Sequence, residues 1–288
     1  DMHSDMSEEV DPSREKMKSR MRWKEEMLRS GGMSIFGNAF FRGRGDGKFE
    51  EISDKIGAEN YWPWGLSAGD LNADGFIDVF IASSMNFPFR YGVNTVLLNN
   101  RGEKFLDSEF NLAIEPRRDE RTHRPLFDLD CKGGDAQHDM CKKMPADFDQ
   151  VTVEGALGTR ASVVFDLDDD GDLDIVTNEF NDVPQVLISN LGTNRKIHYV
   201  RLKLQGTTSN RDGIGALIRV KAGEDEYLRT HDGKSGYLAQ SSLPMYIGLG
   251  EHDKIDSIEV LWPSGTRQVV TDGLRMNSTI EIVEPADG

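Results

Sequence analysis

The chain has 288 residues, enough for one large or two medium domains with true hydrophobic cores. It is acidic, with 50 Asp and Glu against 34 Lys and Arg and a formal net charge of −16, a balance that argues against binding nucleic-acid phosphates and suits a protein that gathers divalent cations. No apolar run is long enough to span a bilayer, and no signal peptide is visible in a sequence that opens at Asp1, not Met.

Residues 1–32 are charged and rich in Met. Asp11 to Arg29 reads as a helix, with Asp11 as its cap, Pro12 at the first helical position and Gly31 and Gly32 as its stop. It is expected to lie against the following domain, within the end of a truncated repeat unit. From 33 to 192 the pattern is short β-strands broken by Gly, Asn and Asp. Two stretches repeat each other: WGLSAGDLNADGFIDVFIASS followed by NTVLLNN, and GTRASVVFDLDDDGDLDIVTNEF followed by PQVLISN. A third partial copy, FGNAFFRGRGDGKFEEISDKIG, keeps a strand and turn but has no Asp-rich loop. Repeats of this kind predict propeller blades, and two or three blades predict part of a longer protein whose other N-terminal blades lie outside this sequence. The segment 111–156 reads partly as an insertion.

The repeats carry loops of the form D-x-[DN]-x-D-G-x-x-D, whose first residues, Asp70 and Asp166, are 96 positions apart (166 − 70). Calcium takes six to eight oxygens in flexible geometry, and a loop with acidic or amide groups at alternate positions can wrap it. Asp70, Asn72 and Asp74 offer side-chain oxygens, Gly75 permits the turn, Phe76 offers its carbonyl and Asp78 closes the shell. The second set is Asp166, Asp168, Asp170, the carbonyl of Asp172, and Asp174, with Gly171 at the turn. The loops are not EF-hands, because they lack a closing Glu at the twelfth position and run into strands. Magnesium fits less well, since it retains waters and takes few protein ligands.

Within the insertion, Cys131 and Cys141 read as a local disulfide closing a surface loop, in preference to a metal site with His138, because the spacing matches no zinc signature. From 193 to 285 alternating runs appear: HYVRLKL, ALIRVKA, EYLRTHDG, IDSIEVLW, RQVVTD and STIEIVE. Turn signals between them predict an antiparallel, sandwich-like β-domain.

These residues resemble known families. The repeats are similar to the FG-GAP/VCBS blades of integrin-α-type propellers. SNRDGIGALIRV, SGYLAQSS, IGLGEHDKIDSIEVLWPSG and STIEIVE resemble the ASPIC/UnbV domain. The combination resembles the cartilage acidic protein family and its bacterial members. It implies an all-β fold, a calcium-loaded propeller, and a secreted, periplasmic or cell-surface protein. Asn72 departs from the commoner Asp and removes one charge from the first loop.

Other motifs have plainer readings. Arg44-Gly45-Asp46 sits in a tight strand–strand turn, and Asn210 to Gly213 and Trp262 to Gly265 are turns. Asn277-Ser278-Thr279 fits a glycosylation acceptor at a strand start. No nucleophile-elbow, P-loop or dinucleotide motif occurs. The expectation is a calcium-binding recognition, adhesion or scaffold module for a protein or glycan ligand, without a membrane span. The alternative is an enzyme, a hydrolase or biosynthetic tailoring enzyme, with its active site on the propeller face or at the domain junction.

Overall fold

The computed structural model describes residues 38–58, 60, 63–83, 93–117, 121, 123–145, 147–241 and 243–286; the helix expected over 11–29 lies outside them. The described chain is all-β, with three short helices.

The first full repeat forms a four-stranded antiparallel meander, β3 (Pro63–Gly69), β4 (Asp78–Ser83), β5 (Thr95–Asn100) and β6 (Lys104–Asp107), in the spatial order β3-β4-β5-β6. That is the sheet of a propeller blade. The partial copy before it supplies a hairpin, β1 (Phe41–Gly43) and β2 (Phe49–Glu51), followed by the short helix α1 (Ser53–Ile56). Ile52, Ile56 and Ala58 bury against Phe105 of β6. The RGD tripeptide lies in the hairpin turn, where Gly45 and Gly47 take positive φ and Asp46 Oδ1 accepts the Lys48 N–H at 3.1 Å.

The second repeat forms β9 (Gly158–Phe165), β10 (Asp174–Phe180) and β11 (Val186–Leu187). Its register matches the first repeat: Gly69 pairs with Asp78 across one Asp-rich loop, and Phe165 pairs with Asp174 across the other. The run QVLISN does not form the full strand expected. Val186 and Ile188 are exposed, so little burial favours extending β11 past Leu187. The two sheets share a core of Phe80, Ala82, Val96 and Ile175. Ser67 Oγ donates to the Ser162 carbonyl at 2.7 Å in a buried bond between β3 and β9.

Between the blades, β7 (His123–Asp130) and β8 (Gln150–Ala156) pair as a separate two-stranded arm. Cys131 and Cys141 form a disulfide at its tip, beside helix α2 (Asp139–Lys143). His138 is that helix's cap, its Nδ1 accepting the Met140 N–H.

Helix α3 (Leu191–Asn194) leads into the C-terminal domain of two facing sheets. One holds β12 (Tyr199–Gln205), β17 (Met245–Gly248) and β20 (Thr279–Val283); the other holds β13 (Leu217–Ala222), β14 (Asp225–Thr230), β18 (Ser257–Leu261) and β19 (Arg267–Val270). Inward residues alternate along these strands. They meet in a core that includes Leu202, Ile218, Ile247, Ile258 and Trp262, each worth roughly 1.5–3 kcal/mol or more on burial. The expectation of a purely antiparallel domain needs correction: β12 pairs with β20 in parallel. A crossover through the opposite sheet brings the last strand in beside the first, which alternation alone does not encode. A small hairpin, β15 (Lys234–Gly236) and β16 (Ala239–Gln240), reaches out of this domain and packs on β3 and β9. Its Gly236, at φ 141°, sits so close to Ser67 and the Ser162 carbonyl that a Cβ would clash with both.

Candidate metal centre

Each Asp-rich loop joins the first two strands of its sheet, and each is tied by its own carboxylates. In the first, Asp70 Oδ1 accepts the Asp74 N–H at 2.9 Å and Asp70 Oδ2 the Gly75 N–H at 2.8 Å. Asp78 Oδ2 accepts the Leu71 N–H at 2.8 Å, and its Oδ1 the Asn99 N–H at 2.7 Å. Asn72 Nδ2 donates to Asp74 Oδ2 at 3.0 Å, and Asp74 Oδ1 accepts the Phe76 N–H at 2.9 Å. Ala73 at φ 55° and Gly75 at φ 92° make the turn.

The second loop repeats the design. Asp166 Oδ2 accepts the Gly171 N–H at 3.1 Å, Asp174 Oδ2 the Leu167 N–H and Asp174 Oδ1 the Ser189 N–H, both at 2.8 Å. Asp170 Oδ1 accepts the Asp172 N–H at 3.2 Å. Asp169 at φ 63° and Gly171 at φ 100° occupy the same two turn positions. Asp166, Asp168 and Asp174 each present a carboxylate oxygen within 4.8 Å of the others. The Asp170 side chain is not in that group. Asp172 enters the expected shell only through its carbonyl; its buried side chain instead accepts the Gly192 N–H at the start of α3, at 2.7 Å.

Electrostatics separate the loops. Burial is the main cause that pushes Asp70 up to about 6 and Asp78 up to about 8, with Asp74 adding repulsion to each. Burial also raises Asp166, opposed by the Arg201 guanidinium. Asp166, Asp168 and Asp174 converge with Asp174 buried and Asp168 exposed, and carboxylates held this close call for a compensating positive charge.

A hard divalent cation fits the second loop's residues on a direct observation. Asp166 Oδ1 is buried with no well-formed hydrogen bond among the described residues, only the nearby Asp169 N–H, although its Oδ2 has two. A buried carboxylate oxygen without a well-placed donor is costly, and an oxygen-ligated ion would satisfy it. The donor set is all oxygen, which suits calcium over softer metals.

Sequence reasoning missed what covers the loops. The C-terminal domain packs on both, leaving Leu167 to Asp170 of the second loop exposed. Gly248 N–H donates to Asp70 Oδ2 at 2.9 Å, Gly250 N–H to the Ala73 carbonyl at 3.0 Å and Arg229 Nη2 to the Gly75 carbonyl at 2.8 Å. On the second loop, Arg201 Nη1 bonds Asp166 at 2.9 Å and also Asp169, while Tyr246 Oη donates to the Gly171 carbonyl at 3.0 Å. Gly75 lies under the Tyr227 ring and Gly171 under the Tyr199 ring, with no room for a Cβ in either place. Arg195 adds a bond from the linker to the Asn72 carbonyl. The signal for this, a Tyr or Arg at chosen positions of alternating strands, has no readable spacing from the loops.

At the same junction lies a cavity of about 510 Å³. Its floor is β3, β9 and the loop starts Asp70 and Asp166; its roof is formed by residues from 229 to 246 and by Arg201.

Comparison with known proteins matches the ASPIC and UnbV model to residues 206–288 and the FG-GAP-like repeat model to residues 30–81. Cartilage acidic protein 1 of Xenopus tropicalis is 27% identical, over 86% of this chain and 41% of that protein. The Homo sapiens protein of that name is 27% identical over 87% of the chain and 41% of its own length. The Mus musculus protein is 34% identical over a shorter stretch, 43% of the chain and 20% of that protein. The chain therefore spans well under half the length of these curated relatives. The repeat match ends before the second loop, whose equivalence rests on its register in the sheet.

Proposed function

We propose that this chain, which carries an FG-GAP-like repeat and an ASPIC/UnbV domain, is a calcium-stabilised module of an extracellular recognition or scaffold protein. One observation carries the metal reading: the convergence of Asp166, Asp168 and Asp174, with Asp166 Oδ1 buried and lacking a well-formed hydrogen bond. In the first loop Asp70, Asn72, Asp74, the Phe76 carbonyl and Asp78 would hold the ion. In the second, Asp166, Asp168, Asp170, the Asp172 carbonyl and Asp174 would do so. The ion supplies charge compensation; the residues fix the turn between the first two strands of each blade. Both loops are bonded to the C-terminal domain, although Leu167 to Asp170 of the second stay exposed, and those bonds favour a scaffold role.

A secreted, periplasmic or cell-surface location is supported by the Cys131–Cys141 disulfide, a bond that persists in oxidising compartments. Among the described residues no helix is long and apolar enough to cross a membrane. A protein or glycan ligand suits the exposed outer surfaces of such a module.

Calorimetric titration of the chelator-stripped protein with calcium should give two sites, and Asp166→Ala should give one. A hundredfold excess of calcium over its Kd stabilises a site by about 2.7 kcal/mol, so EDTA should lower Tm by several degrees. An unchanged melting curve in EDTA defeats the reading.

The second reading, a hydrolase or tailoring enzyme, is favoured by the junction cavity. It differs in outcome, requiring turnover of a molecule that a recognition module leaves intact.

A further inference from the structure

We propose that the strand ends opposite the Asp-rich loops form a docking site for an acidic peptide segment of a partner protein, its carboxylate taken by Arg160 and its apolar side chain by Tyr237 and Leu238. The proposal names a partner for the recognition role given above and rests on that role.

Arg160 lies near the start of β9, Trp64 near the start of β3 and Phe180 at the end of β10. The Arg160 guanidinium carbon is 3.7 Å from the centre of the Trp64 ring and 4.3 Å from that of Phe180. Cation–π attraction to two rings fixes the orientation of the group. Its Nε is buried. The two Nη groups are not, and they make no hydrogen bond or ion pair among the described residues.

The chain has 50 acidic residues, yet none of those described neutralises this cation. The carboxylate beside Phe180, that of Glu179, is committed to Arg117 at 2.9 Å and to the hydroxyls of Thr159 and Thr177. Burial draws the Arg160 guanidinium down, and Tyr237, not a carboxylate, opposes that. The unbalanced charge at this place is positive, which sets the sign of the partner. A fixed guanidinium with two open Nη groups takes a carboxylate through two parallel bonds.

The apolar half of the site is the turn between β15 and β16. Gly65 brings the two halves together, since a Cβ there would meet both the Arg160 carbonyl and Tyr237 Cβ. Tyr237 is 41% exposed and Leu238 is 89% exposed. Leu238 also takes φ 54°, a left-handed conformation that Gly or Asn adopts at less cost. A leucine so exposed gains no burial from its own chain. Trp, Tyr and Arg gathered at one place match the composition of protein-interface hot spots. Leucine packs on an apolar side chain and offers nothing to the hydroxyls of a sugar, so the acid belongs to a peptide.

Random dodecapeptides displayed on phage are panned against the calcium-saturated chain, and the enriched sequences are synthesised and measured by fluorescence polarisation. They should carry Asp or Glu close to a large apolar residue. Arg160→Gln and Leu238→Gly should each weaken their binding by about tenfold or more. Glycine suits the left-handed position, so the Tm of Leu238→Gly should equal or exceed that of the parent, which separates lost contact from lost fold. The calcium titrations of both variants should match the parent, because five residues of strand, roughly 17 Å, lie between the site and the loops. Failure to enrich any peptide, enrichment of peptides without an acidic residue, or full affinity in either variant overturns the proposal. A glucuronate disaccharide that binds more tightly than the peptides, with the same dependence on Arg160, overturns the choice of a peptide. Peptide binding and calcium binding are read separately, so failure of the metal reading and failure of this one are distinguishable.

Discussion

At the scale of single residues, Glu284 is the clearest example of a side chain whose role only the fold discloses. It closes β20 and is buried. Burial by itself would raise its carboxyl. The hydroxyls of Ser264 and Ser209 and the N–H groups of Ser209, Thr207 and Thr208 outweigh it and hold the group down at about 2, from an ordinary 4.5. The donors favour the ionised form in the folded state only. Its stabilisation is therefore complete above the ordinary value and is lost as pH falls from about 4.5 through about 2. Urea denaturation at pH 6 and pH 3 should show the parent losing more stability on acidification, or gaining less, than Glu284→Gln, because the raised Asp70 and Asp78 act in the opposite direction equally in both proteins. Glu284→Gln should start less stable at pH 6. Equal changes in the two proteins would remove Glu284 from the account. The sequence marks Glu284 only as the end of an alternating run, because its partners stand 75 to 77 positions earlier and, at Ser264, 20 earlier.

At the scale of elements, strands were legible wherever one face had a partner to bury against. HYVRLKL, ALIRVKA and IDSIEVLW carry period-two alternation; β13 and β18 lie within their runs and β12 overruns its own by one residue. Pairing was less legible. Nothing local tells β12 that its neighbour is β20 in parallel, and QVLISN has a strand's composition without a covered face. The two cysteines were readable as a pair, with a disulfide preferred to a metal site with His138, and the structure joins them as a disulfide. Their bridge packs into a separate small cluster with Leu129 and Val151, away from the core shared by the blades. Opening a loop with a sequence separation of 10 forfeits roughly 2–3 kcal/mol by the chain-entropy relation. Cys141→Ser should therefore loosen the β7–β8 arm alone. Trypsin should cut sooner at Lys132, Lys142 or Lys143, while the main thermal transition moves by only a degree or two. An unchanged digestion rate would mean that strand pairing suffices to hold the arm.

At the scale of the whole molecule, the Asp-rich loops are readable as a pair, and their location is not. Their spacing, Gly positions and following strands reveal two equivalent turns. That both turns form the seat of the C-terminal domain depends on Tyr199, Arg201, Tyr227, Arg229 and Tyr246, which sequence alone presents as ordinary strand residues. The consequence is thermodynamic. Asp70 is tied to Gly248 and Asp166 to Arg201, so a cation that sets the geometry of those carboxylates also sets the surface on which the domain rests. The C-terminal core of Val200, Ile218 and Val260 is a cluster separate from that of the blades and is expected to hold without that surface. Hydrogen exchange in calcium and in EGTA should divide the amides accordingly. In EGTA, exchange should speed up in both loops and at Gly248 and Gly250, whose N–H groups bond to the first loop, while the amides of Val200, Ile218 and Val260 stay protected. Faster exchange confined to the loops would show that docking is independent of the ion. Faster exchange everywhere would show that the two domains unfold as one, and in either case the Asp-rich loops would lose the proposed role of an ion-set joint between them.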